Sequence, residues 1–163
     1  MMSFNYSGSV KLSYADNASL LLGHDFWYLL EDVKIDFVLN NDHYEVNIPK
    51  GYLTDGASVP RLFWNVFPQW DNTSKAVVLH DYLCEYGIAR INGCEKIVPR
   101  IMVDKIFLEA LRFEGITKIK YNIMYAAVRM HSNIHHLDKP RIDPLKFNCE
   151  EEIKLNLAKG YYS

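Results

Sequence analysis

Residues 33–48 read VKIDFVLNNDHYEVNI, and this stretch decides the fold class. Val33, Ile35, Phe37 and Leu39 fall on alternate positions, so in an extended chain they share one face, with Lys34, Asp36 and Val38 on the other. Asn40-Asn41-Asp42-His43 is turn chemistry, and Tyr44-Glu45-Val46-Asn47-Ile48 resumes the alternation, which predicts an antiparallel hairpin. Upstream, Ser9 to Tyr14 has the same period of two, and Phe26 to Leu30 reads as a neighbouring strand.

Downstream of Pro60 the period becomes helical. Leu79, Tyr82, Leu83 and Tyr86 are spaced i, i+3, i+4 and i+7 after a Thr73-Ser74 start, and Gly87 is placed to end the helix. Pro99 opens a second helix with an apolar stripe of Val103, Ile106, Phe107, Ala110 and Leu111, ending before Gly115. Thr117 caps a third, with Ile123, Met124, Ala127, Val128 and His131 along one side. The chain therefore reads as α+β: an N-terminal antiparallel β-sheet, then a three-helix layer, then an extended C-terminal tail. Residues 1–137 form one α+β domain. Residues 138–163 form a C-terminal extension, partly helical through CEEEIKLNLAKG, that lies either on the domain or on a partner.

A chain of 163 residues suits one domain with a sizeable core, and 49% hydrophobic against 23% charged residues is ordinary globular usage. The formal net charge of -2 and the scattered Lys and Arg argue against nucleic-acid binding. Cys84, Cys94 and Cys149 are odd in number and form no Cys-x-x-Cys pair, so a reducing compartment is expected rather than a disulfide framework or a thiolate zinc site. No run approaches the roughly 18 apolar residues of a membrane span, and MMSFNYSGSV lacks the plan of a signal peptide. Aromatic residues make up 13% of the chain, which serves either a core built with aromatics or a surface for a protein partner.

Three segments carry polar residues that a scaffold does not need. In GYLTDGASVP (51–60) an apolar run ends in a Thr-Asp-Gly turn, with Asp55 and Ser58 placed to leave a strand end. In AVVLHDYLCEY (76–86) His80 and Asp81 interrupt an apolar helix, and two such groups need partners to offset their desolvation. Asp104 sits at the rim of the second helix's stripe, and His80, Arg61, Arg100 and Arg129 are its candidate partners. If these groups converge, two chemistries open. His80, Asp81 and Asp104 can hold a divalent metal ion, or His80 can act as general base, with Asp55 and Ser58 as further catalytic candidates. Ser58 lacks the Gly-x-Ser-x-Gly elbow that presents a serine nucleophile.

The three segments resemble a family of phage and prophage proteins, domain-of-unknown-function family 1353, whose pattern is a Thr-Asp-x-Ala-Ser-x-Pro corner, a His-Asp-x-Leu helix and an Asp-x-x-Phe helix. The corner matches at Thr54, Asp55, Ala57, Ser58, Pro60 and Arg61, and the first helix at His80, Asp81 and Leu83. Asp104 and Phe107 match the second helix, and Arg129 fits a later Ala-Val-Arg position. The resemblance implies a phage or prophage origin and supplies no activity or cofactor. The expected function is a virion or tail-associated component, located in the virion or the host cytoplasm, with other phage structural proteins as partners. The alternatives are a metal-dependent or His-based hydrolase acting on a cell-wall or similar substrate, and an inhibitor of a host protein.

Overall fold

A computed structural model describes residues 3–56 and 74–161. The central hairpin pairs β4 (Val33–Leu39) with β5 (Asp42–Ile48) in antiparallel register, Phe37 opposite Tyr44. Asn40 and Asn41 turn the chain with φ of 52° and 69°. Two successive left-handed residues are what a tight hairpin needs, and Asn tolerates them. Strands β1 (Phe4–Ser7), β7 (Ile88–Ile91) and β8 (Cys94–Ile97) complete a five-stranded sheet in the order β1-β4-β5-β7-β8. The β7–β8 hairpin turns on Asn92-Gly93, both with positive φ. A second sheet pairs β2 (Leu12–Tyr14), β3 (Trp27–Leu29) and β6 (Leu53–Thr54) in the order β2-β3-β6, so the strand expected around Phe26–Leu30 belongs to this sheet. A short helix α1 (Asp16–Leu22) links β2 to β3.

The buried face of the large sheet is the alternating one: Val33, Ile35, Phe37, Leu39, Val46 and Ile48 are in the core. Against it lie α2 (Ser74–Glu85), α3 (Arg100–Phe113) and α4 (Lys118–Ile134), with α3 packed between the other two. The architecture is α+β, with the antiparallel sheets drawn largely from the N-terminal half.

Helix α2 buries Ala76, Val77, Val78, Leu79 and Leu83, whereas Tyr82 and Tyr86 are half-buried. Five buried apolar positions in one 12-residue helix wrap most of its circumference. His80 and Asp81 are thus carried into the interior by the residues around them. The α2 N-terminus is capped from outside: Glu114, just past α3, accepts the Ala76 N–H at 3.0 Å. On α4 the buried line is Met124, Val128 and Ser132, while Ile123 and His131, expected on the inner side, are exposed.

The last helix, α5 (Pro144–Ala158), starts at Asp143, whose carboxylate accepts the Leu145 N–H at 2.8 Å, with proline in the first turn. It lies on the domain and closes a small second core of Ala15, Ala18, Phe26, Tyr28, Leu53, Cys149 and Ile153. Its inner face is Lys146, Cys149, Glu150 and Ile153, spaced i, i+3, i+4 and i+7, so half of that face is charged. Lys146 donates to Glu85 on α2 and lies 3.5 Å from Glu150. Glu150 in turn accepts the Leu53 N–H at 3.2 Å and the Tyr86 hydroxyl. The approach to α5 is close, since a Cβ on Gly87 would stand 2.1 Å from Pro140 Cγ.

Removing one partner from a buried ion cluster leaves uncompensated charge. Lys146→Ala should therefore destabilise the protein by about 3–5 kcal/mol in chemical denaturation and expose the 138–161 segment to limited proteolysis.

Candidate functional site

Asp104 is the hub of the site. It is fully buried on α3, and each of its oxygens takes two donors. Oδ1 meets His80 Nε2 at 2.8 Å and Arg100 Nε at 3.2 Å. Oδ2 meets Arg129 Nη1 at 2.7 Å and Ser132 Oγ at 3.1 Å, the one serine proton being shared with the Val128 carbonyl at 2.9 Å. Burial alone would raise the Asp104 pKa; the His80 bond and charge, the Arg129 bond and the Arg100 charge outweigh it and hold the group at about 2. Asp104 is therefore a carboxylate across the working range, a permanent acceptor.

That fixes the histidine. With an ionised acceptor on Nε2, a neutral His80 ring carries its proton there and is basic at Nδ1. Phe107 packs against the ring, centroids 4.6 Å apart, and holds its plane. Cys84, one turn further along α2, places its sulphur 3.6 Å from Nε2 and 3.7 Å from Nδ1. A sulphur nearly equidistant from both nitrogens is not aligned with either for proton transfer. Burial also pushes the Cys84 thiol well up, so it is a wall of the site rather than a nucleophile.

His80 borders an open cavity of about 370 Å³ whose other lining groups include Asp55, Asp81, Glu85, Arg100 and His131. Asp81 is buried and accepts the Thr54 hydroxyl at 2.7 Å, and the Gly56 N–H donates to the same Thr54 oxygen at 3.2 Å. The Thr-Asp-Gly corner and the His-Asp helix are thereby tied together through one hydroxyl. Asp55 interacts with His24 Nε2 at 3.1 Å. Glu85 differs from Asp104: burial pushes it up to about 8, with the Glu150 and Asp81 charges adding and Lys146 opposing.

Of the residues singled out from sequence, Asp55, His80 and Asp81 line one cavity and Asp104 lies directly beneath it. Ser58 and Arg61 lie outside the described residues. At this site the ligand atoms that converge within 4.8 Å are those of His80, Cys84 and Asp104, not those of Asp81. The Asp104 oxygens already meet His80, Arg100, Arg129 and Ser132, so this set fits an ion-pair hub better than a divalent cation. Ser132, Cys84, Glu85 and the linking role of Thr54 were not found from sequence. Ser132 carries a signal in its position, one turn after Val128 on the buried line of α4.

The ionisable groups set the pH profile of stability. Asp104 is lowered, so its contribution is complete above the usual carboxylate value and is lost only as pH falls through about 2. Glu85 at about 8 and Glu114 at about 7 are raised, chiefly by burial, so their contributions are complete below the usual value and are lost as pH rises through those figures. The thermal midpoint should fall between mildly acidic and mildly alkaline pH, and the Glu85→Gln/Glu114→Gln double variant should flatten that fall. Asp104→Asn, which leaves two arginines short of a countercharge, should cost about 3–5 kcal/mol in denaturant titration.

Comparison with known proteins places these groups in a family. Neither a curated protein nor a solved structure matches the chain. A family described as a protein of unknown function (DUF1353) matches residues 24–128, a span that takes in His24, the corner, the His-Asp helix and Asp104. The chain belongs to the DUF1353 family.

Proposed function

We propose that the protein is a hydrolase in which His80 is the general base. The observation that carries this reading is the pairing of His80 Nε2 with the buried, fully bonded Asp104 carboxylate at the wall of an open cavity of about 370 Å³. A carboxylate behind an imidazole fixes the tautomer and stabilises the imidazolium that forms when the other nitrogen takes a proton. Nδ1 then removes a proton from a water molecule as it attacks the substrate. The leaving group needs an acid, and Glu85 lines the same cavity with its carboxyl raised to about 8, protonated at neutral pH. A base and a protonated carboxyl on one cavity are the arrangement that acid–base catalysis uses. Asp55 and Asp81, held by His24 and Thr54, are placed to orient the substrate.

The cell wall supplies the substrate to try. Incubation with purified peptidoglycan, read by mass spectrometry of released fragments, should show turnover by the native protein. His80→Ala should lower it by about 10²–10⁴-fold, and Glu85→Gln should slow it as well. Equal fragment release by a folded His80→Ala variant would overturn the assignment.

A second reading, a virion or tail-associated component of phage origin, is favoured by Ile119, Ile123, Met130 and Ile134, all exposed along α4. Such an apolar line suits a protein partner and is compatible with a hydrolase carried on a particle. Among the described residues no helix is long and apolar enough to cross a membrane. Sedimentation of phage particles with this chain retained in the particle fraction would support that reading, and its complete recovery in the supernatant would remove it.

A further inference from the structure

The ion cluster beneath the cavity contains more cation than its one carboxylate requires. Arg129 uses Nη1 on Asp104 and Nη2 on Asn133 Oδ1, the latter at 3.1 Å. Arg100 spends only Nε on Asp104. Among the described residues nothing accepts from its Nη1 or Nη2, although the side chain is only 13% exposed. A guanidinium cannot discharge itself by losing a proton at ordinary pH, so these terminal donors stay charged and open to an acceptor. Terminal donors left over on an arginine that is largely enclosed and borders a cavity are suited to a ligand.

Their position supports this. Arg100 borders both the 370 Å³ cavity and a smaller one of about 210 Å³, whose lining includes Arg129, Ser132, Asn133 and Asp138. The carboxyl groups of Asp55, Asp81 and Glu85 all belong to the larger cavity, contributed by β6's end and α2. In the smaller cavity Asp138 is the only acid among the described lining residues, against Arg100 and Arg129. Three acids thus line the larger cavity and one lines the smaller, where two arginines meet it.

We infer that Arg100 is an anion-binding residue whose two terminal NH₂ groups hold a carboxylate or phosphoryl oxyanion at the junction of the two cavities. The planar fork of a guanidinium matches the paired oxygens of either group. The anion seats towards the smaller cavity, away from the Asp55, Asp81 and Glu85 carboxyls. Arg100 and His80 share Asp104 Oδ1 as acceptor and both border the larger cavity, so the junction of the cavities lies close to the imidazole. Resting on the hydrolase reading, this makes the substrate anionic, with its charged group next to the bond that is cut.

Calorimetric titration of the purified chain with inorganic phosphate, and separately with acetate, tests the site without reference to activity. Saturable binding of either anion is expected. Preference for phosphate assigns a phosphoryl ligand, and preference for acetate assigns a carboxylate. Arg100→Gln should weaken binding by about tenfold or more. Arg100→Lys keeps a charge near Asp104 but loses the paired donors, so it should weaken binding too and guards against a folding defect. His80→Gln should bind the anion still, which separates failure of this site from failure of the hydrolase reading. No saturable binding to either anion, or unchanged binding in the folded Arg100 variants, overturns the inference.

Discussion

A single buried carboxylate organises this protein. Asp104 takes its four donors from three helices: His80 from α2, Arg100 from its own α3, and Arg129 and Ser132 from α4. Helix packing by apolar side chains is permissive about small rotations and slides, because one methyl group substitutes readily for another. A carboxylate with four fixed donors is not permissive, because any slip strands a charge in the interior. The large sheet provides the surface on which the helices lie, and Asp104 sets how they lie. The same set of bonds orients the imidazole at the cavity wall, so the geometry of the candidate site is a by-product of the geometry that packs the helices.

How much of this was legible follows from which residues speak locally. The β4–β5 hairpin is written in period-two alternation and an Asn-Asn turn, and α3 in a Pro start and an uninterrupted stripe, so both are readable. Buried polar residues in apolar surroundings pointed to His80, Asp81 and Asp104, and to Arg100 and Arg129 as partners. The β7–β8 hairpin was missed although INGC carries an Asn-Gly turn, because its strands, IARI and CEKI, are short and largely exposed. On α4 two apolar lines compete: Met124 and Val128 face the core, while Ile119, Ile123, Met130 and Ile134 face outwards. Periodicity cannot rank two such lines, and only the position of α3 does.

The helix of the tail was legible, but its docking on the domain was not, for a different reason. Its inner face alternates Lys146 and Glu150 with Cys149 and Ile153, so no hydrophobic pattern marks it. The partners that make those charges tolerable, Glu85 and Tyr86, lie some sixty positions earlier in the chain. A face built from ion pairs is invisible to any pattern that equates burial with apolarity. The consequence reaches the site, since the lysine that α5 brings to Glu85 touches a residue of the cavity lining.

Glu85 and Asp104 are therefore best understood against each other. Glu85 lines the cavity and Asp104 lies beneath it, and burial pushes both upwards. Asp104 meets two guanidiniums, an imidazole and a hydroxyl, and the sum reverses the shift. Glu85 meets one ammonium that Glu150 shares, with Asp81 nearby, and the sum does not. The number of cations per carboxylate, rather than depth, decides which group is charged. A carboxylate held charged beneath an imidazole and a carboxyl held neutral on the same cavity make two neighbouring acids of one residue chemistry behave in opposite ways.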